Sequence, residues 1–481
     1  MSNVHETDLC FMTIAELAPL IYQREVSPVE VTTAMIERIN RHNDEMHAYI
    51  TVTADVALEQ ARAAEQEIMA GRYRGPLHGV TISLKDNIAT KGIRTSCASR
   101  VAPDWLPDED ATVYDRLREA GAILVGKANL FEYAFSMNPA YPNAVNPWNP
   151  ERTSSGSSSG SGVGVAAGMA HGSIGTDTGG SGRAPANVNG AVGFKATYGR
   201  VSRHGLFPLS YTLDHTTMMT RCVRDSALML QATAGYDARD ENSSRVGVPD
   251  MSGTIGQPIA GMRLALARGY THEGIDPDVT AVFDTAIDSL RRLGAEITEV
   301  QLPYVRHAHA LQLAIMNPEA AEIHHQTHRE ADDRLGSTAL MRLDLGSVIP
   351  AIAYIRAQRM RKLMRNAFRE LLTHYDAIVS PALAVRPGTA GTWTTIIDGK
   401  EIDLRSAGPE YTGIYNLTGM PALVLPAGFS SEGTPIGIQF AGRWFDEPTV
   451  LRVAHAFEQT TGWPKRPPFP KEDEMGAFPD A

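Results

Sequence analysis

The chain has 481 residues, 43% of them hydrophobic and 21% charged, which is the make-up of a globular protein and excludes a disordered or fibrous one. Its formal net charge of −11 argues against a basic face for nucleic acid or for an anionic membrane. Cys10, Cys97 and Cys222 are odd in number and widely spaced. They form neither a disulfide frame nor a CxxC metal pattern, so a reducing cytoplasm is expected. The start carries no basic-then-apolar run, which predicts no signal peptide, and no apolar run reaches the roughly 20 residues of a membrane span.

In chain order, residues 13–24 predict a helix, with Ile14, Leu17, Leu20 and Ile21 at helical spacing and Pro19 as a kink point. Ser27 and Pro28 read as an N-cap followed by proline at the first helical position. The helix they open, 28–40, places Val31, Met35 and Ile39 on one face. A further helix over 54–70 completes a helical N-terminal wrap, 1–70. The pattern then changes. In GVTISLKDN (79–87) Val80, Ile82 and Leu84 point one way and Thr81, Ser83 and Lys85 the other, as in a strand. Residues 110–120 predict a helix and 122–125 a short strand.

Farther on, 261–267 (strand), 278–293 (helix), 296–300 (strand), 351–372 (helix), 377–379, 422–426 and 437–440 (strands) and 447–460 (helix) follow. Residues 389–408 read as a loop or hairpin over a site. Strands alternating with helices give the expected fold class: α/β, one large domain over 1–481, with a central mixed, twisted sheet covered by helices on both faces. Within it we expect a catalytic core at 75–230, a more variable cover at 240–410 and a return to the core at 411–462.

Chemistry concentrates in 152–193. Serines and glycines at 154–164 read alone as a flexible linker. Here they run directly into Val163, Val165, Ala166, Ala167 and Met169, a small-residue helix expected to occupy 163–170, and a second glycine-rich turn, GTDTGGSGR (175–183), follows. A serine hydroxyl needs a base to become a nucleophile, and acyl transfer needs backbone N–H groups aimed at the oxyanion. Successive glycines let such N–H groups converge, and Thr178, Gly179, Gly180 and Ser181 supply the donors with a serine. His171, ten positions before Ser181 (181 − 171), reads better as a helix-end or surface histidine. A buried neutral lysine can replace histidine as base. Lys85 ends an apolar strand, although a surface ion pair with Asp86 is the simpler reading of that residue alone.

The segments SGSSSGS (155–161), GTDTGGSGRAPA (175–186), GFKAT (193–197) and GVTISLKDN (79–87) resemble the amidase signature family of serine amidohydrolases. The two serines stand 24 apart (181 − 157), as in that family, and the likeness extends to GAILVGKAN (121–129), NPWNP (146–150), TYGRVS (197–202) and NLTGMPALVLPAGF (416–429). The resemblance implies a Ser–cisSer–Lys triad. Ser181 is the nucleophile, Ser157 the bridging serine in a cis peptide bond, and Lys85 the base. It further implies backbone oxyanion donors from Thr178, Gly179, Gly180 and Ser181, with Asp177 and Arg183 bracing the turn. Departures from the pattern fall at Ser154, Ser155, Ser159, Gly182, Asn187, Val188, Asn189, Ala196, Thr217 and Met218. None touches the triad, and several bear on substrate class.

Competing sites are weaker. His324 and His328 share a helix face in HHQTH, but the glutamate of a zinc HExxH motif is missing. Cys97 lacks a matched histidine motif, no phosphate-loop motif is present, and Arg356, Arg359, Arg361 and Arg365 read as a solvated helix face. The resulting expectation is a stand-alone amidohydrolase cleaving a small amide, carbamate, anilide, hydrazide or ester through an acyl-enzyme on Ser181, without metal or cofactor. Its expected partners are a small amide-type substrate and a second copy in a homodimer, with no nucleic acid and no membrane. The alternatives are the glutaminase (A) component of a tRNA-dependent amidotransferase complex and a non-catalytic binding protein on the same fold.

Overall fold

The alternating pattern of residues 79–87 becomes the second strand of an eleven-stranded sheet. In the computed structural model, which describes residues 6–138, 140–267, 275–392, 394–397, 399–403, 409–464 and 466–471, its strands are β1 (Tyr49–Val52), β2 (Thr81–Lys85), β3 (Ile123–Ala128), β4 (Gly172–Asp177), β5 (Val192–Lys195), β6 (His215–Thr220), β7 (Arg263–Ala267), β8 (Glu296–Val300) and β9 (Ala377–Pro381). After a separate hairpin of β10 (Thr394–Ile397) and β11 (Lys400–Asp403), β12 (Ala422–Phe429) and β13 (Pro435–Gly442) rejoin the sheet. Their order is β1-β3-β2-β4-β6-β5-β12-β13-β9-β7-β8. β2 runs parallel to β3 and β4, and β7 parallel to β8 and β9, while the central pairs are antiparallel. The sheet is therefore mixed, as expected. Every residue of β2, β3, β4, β5, β6, β9 and β13 is buried. Because successive side chains point to opposite faces, burial of all of them means that both faces are covered.

The N-terminal wrap is capped as the sequence dictates. The Ser27 side chain accepts from Val29 N at 2.9 Å, and Glu30 returns a carboxylate oxygen to Ser27 N at 2.8 Å, a capping box with Pro28 inside the first turn. The wrap is not wholly helical, because Tyr49–Val52 adds the edge strand β1 against β3. The small-residue helix occupies Ser159–Ala166 rather than 163–170. Ala167 closes it and Gly168 follows at φ +67°, a left-handed turn that ends the helix before β4 begins. Residues 240–410 do more than cover the site. β7, β8 and β9 extend the sheet, and the helices Ala308–Ile323, Ser337–Val348 and Ala351–His374 rise over it. Ile315, Met316, Leu343, Met364, Phe368, Tyr411 and Tyr415 form a second core beneath those helices. The loop or hairpin expected at 389–408 is β10–β11 where described, and 404–408 lie outside the described residues.

Candidate active site

Strand alternation aims one row of β2 at β4. Thr81 Oγ1 meets His171 Nδ1 at 2.7 Å, Ser83 Oγ donates to Ser173 Oγ at 2.8 Å, and Lys85 Nζ donates to Thr176 Oγ1 at 2.7 Å. The parallel register, with Leu84 opposite Ile174, sets Lys85 beside the end of β4 and so beside the turn that follows it. Lys85 is wholly buried. Burial brings its ammonium down to about 7, against the pull of Asp177, Asp214 and Cys97 in the other direction. The surface pair with Asp86 does not form. Asp86 is itself buried and faces Lys127 Nζ at 3.6 Å.

Lys85 Nζ also lies 2.7 Å from Ser157 Oγ, which closes a gap of 72 positions in sequence. The Gly156–Ser157 peptide bond is cis. A Cβ on Gly156 would collide with the Phe131 ring, so only glycine fits there. Ser158 N donates to Ser181 O at 3.0 Å, and Ser158 Oγ donates to Thr176 O at 3.1 Å, tying the first serine turn to the second. Ser157 and Ser181 both line a cavity of about 430 Å³, together with Gly156, Thr178, Gly179 and Gly180.

The second turn is held from behind. The Asp177 carboxylate accepts from Gly180 N at 2.8 Å, Gly182 N at 3.3 Å and Arg183 N at 3.2 Å. The Arg183 guanidinium grips both of its oxygens at 3.0 Å, a two-pronged geometry that fixes orientation as well as charge. Both side chains are fully buried. Burial pushes the Asp177 carboxyl up, but the charge and hydrogen bonds of Arg183, helped by Lys195 and Asn416, hold it well below the usual carboxylate range. Asn416 and Gln439 complete the brace. Arg183 donates to Asn416 Oδ1 at 2.7 Å and to Gln439 Oε1 at 2.8 Å, and Asn416 Nδ2 donates to Asp177 O at 2.8 Å.

One expected role changes here. The Gly180 N–H is engaged by Asp177, which removes it from the set of oxyanion donors expected from Thr178, Gly179, Gly180 and Ser181. Its own requirement for glycine is conformational: φ is +118°, and a Cβ would collide with Thr412. Asp177→Ala leaves a buried guanidinium unpaired and is expected to lower unfolding stability by about 3–5 kcal/mol, read from urea denaturation of the two proteins.

Other candidates lie elsewhere. His171 is buried rather than at a surface or helix end. Its Nε2 meets Leu9 O at 2.9 Å, and burial takes its imidazolium down to about 3. Cys97 is buried, and burial pushes its thiol far up, away from the thiolate a nucleophile needs. His324 packs between the rings of Tyr133 and Phe207, whereas His328 faces Asp344 at 3.2 Å. Asn416, Gln439 and Thr176 have no signal of their own in the sequence. Asn416 stands in the segment 416–429, but nothing there ties it to Asp177. Arg361 is buried, donating to Leu417 O at 2.6 Å and to Thr212 O at 2.8 Å, so the arginine row of that helix is not wholly solvated.

A family model described as Amidase matches residues 30–451. The chain belongs to the amidase signature family. As such it is an enzyme acting on amide C–N bonds, which sets aside the reading as a non-catalytic binding protein. It is 39% identical to the GatA-type component (the "A" polypeptide) of the glutamyl-tRNA(Gln) amidotransferase of Geobacter metallireducens, an alignment covering 95% of this chain and 98% of the relative. Among solved structures, an amidase is 30% identical with a TM-score of 0.85, covering 94% of this chain and all (100%) of the other. The corresponding glutamyl-tRNA(Gln) amidotransferase component of Thermotoga maritima is 29% identical with a TM-score of 0.77, covering 97% of each chain.

These relatives overturn the expected partners, namely a small amide-type substrate and a homodimer with no nucleic acid. The relatives are components of a tRNA amidotransferase. The net charge of −11 describes one chain, and one component need not carry the basic face of its assembly. Among the described residues no single helix is long and apolar enough to cross a membrane.

Proposed function

We propose that this chain is the amide-cleaving component of a tRNA-dependent amidotransferase, releasing ammonia from glutamine. The observation that carries the chemistry is Lys85 Nζ at 2.7 Å from Ser157 Oγ at the floor of a cavity that also holds Ser181. The role within an assembly rests on the full-length likeness to the amidotransferase relatives.

In this reading neutral Lys85 takes the proton of Ser157 as Ser157 takes that of Ser181. The Ser181 oxygen attacks the amide carbonyl, and N–H groups of Thr178, Gly179 and Ser181 receive the oxyanion. Ser157 returns a proton to the departing nitrogen. The C–N bond breaks, ammonia leaves, and an ester on Ser181 remains. Water then adds by the same relay and frees the acid. Asp177 and Arg183 keep the turn in shape, with Asn416 and Gln439 behind them.

The test is ammonia release from L-glutamine by the purified chain, alone and with its co-expressed partner proteins. We expect release to rise at least about tenfold with the partners, a coupling of the size common between linked sites. Equal rates alone and in the assembly would overturn the role within a complex. Absence of release in both would overturn glutamine as donor.

A further inference from the structure

Beyond the catalytic floor, the cavity has a wall of a different chemistry. Phe135, Met137, Leu313, Met316, Met341 and Leu345 line it, the last four from the stacked helices Ala308–Ile323 and Ser337–Val348. Met341 and Leu345 are four apart on one helix face, so they form one continuous strip. They are 56% and 50% exposed, although they also line the cavity. The apolar wall therefore runs out to the surface as a lip. Large apolar side chains left half in water at a pocket mouth mark a surface that a ligand covers.

The two arginines of the lining are turned to the protein. Arg342 donates to the Phe135 carbonyl, and its guanidinium lies 3.9 Å from the centroid of the Phe135 ring. Arg386 pairs with Asp278 at 3.0 Å and Asp276 at 3.4 Å. A volume of about 430 Å³ lies in the range that holds a drug-sized ligand, which is larger than one amino-acid amide needs.

We infer that the Ser181 site has a further activity, the hydrolysis of neutral primary amides whose body is an alkyl chain or an aryl ring, with that body seated on the wall from Phe135 and Met316 to Met341 and Leu345. The inference rests on Ser181 as nucleophile but not on glutamine as donor. The steps balance as for any amide. Ser181 Oγ bonds to the carbonyl carbon, the C–N bond breaks, ammonia leaves with the relayed proton, and water supplies the hydroxyl of the carboxylic acid.

The test is ammonia release by the full-length chain from acetamide, butanamide and hexanamide, which share one leaving group and differ only in apolar body. Burial of a methylene is worth about a fourfold gain, so kcat/KM is expected to rise by more than about tenfold from acetamide to hexanamide. The double variant Met341→Ser with Leu345→Ser, both at the exposed lip, is expected to flatten that rise to less than about threefold. A flat or falling series in the unsubstituted protein overturns the inference, as does a rise that the double variant leaves intact. Hexanamide turnover that persists in Ser181→Ala instead overturns the assignment of the nucleophile.

Discussion

Ser181→Ala is expected to abolish amide turnover, with a loss of at least about 10³-fold, because without the hydroxyl no acyl-enzyme forms and only binding and oxyanion donors remain. The fold should be untouched. The brace of that turn runs through Asp177, Arg183, Asn416 and Gln439. The hydrogen bond that ties Ser181 to the first serine turn uses its main-chain carbonyl, which alanine keeps. The pair of measurements that checks this is ammonia release and thermal unfolding. An inactive variant with an unchanged transition fits the nucleophile, and near-normal turnover contradicts it.

Lys85→Met is expected to lower kcat/KM by about 10²–10⁴-fold, the usual contribution of a positioned general base, and to change the pH profile as well. Only the neutral amine has a lone pair with which to take a proton from Ser157. Burial sets the change of charge at about 7. Below that pH the side chain is an ammonium that can only donate, so kcat/KM should fall about tenfold per pH unit on the acid side and level off above about 7. In Lys85→Met that acid limb should disappear from whatever rate remains. Lys85→Arg should not restore it, since a guanidinium stays charged and has no acceptor. A profile that keeps its limb near 7 in Lys85→Met would place the titrating base elsewhere.

Much of this site was legible in the residues themselves. Two-residue alternation put Thr81, Ser83 and Lys85 on one side of a strand, and those three side chains do meet one neighbour, β4. The spacing of Ser157 and Ser181 and the capping box at Ser27 were equally readable. β4, β5 and β6 were not. GSIGTD, VGFK and HTTMMT are rich in glycine, serine and threonine or too short for a clear period, and their strand state comes from pairing in the middle of the sheet. The Gly180 N–H escapes a local reading for a related reason. Its engagement by Asp177 depends on how the turn closes on a carboxylate three residues back. Asn416 and Gln439 lie 239 and 256 positions from their partners Asp177 and Arg183, and no local pattern links them. The cavity wall joins residues from separate helices and needs the tertiary fold. The partner expectation failed because total charge does not report what one surface of a chain is built to meet.

The central claim is that Ser181 is the nucleophile at the end of a relay from Lys85 through Ser157. A fluorophosphonate reports this most directly, since it bonds only to an activated serine. After incubation with the folded protein, peptide mass spectrometry should find the phosphonyl group on Ser181, and the rate of labelling should drop sharply in Lys85→Met. A label on Ser157 or on another serine, or folded protein that takes up none, would contradict the account.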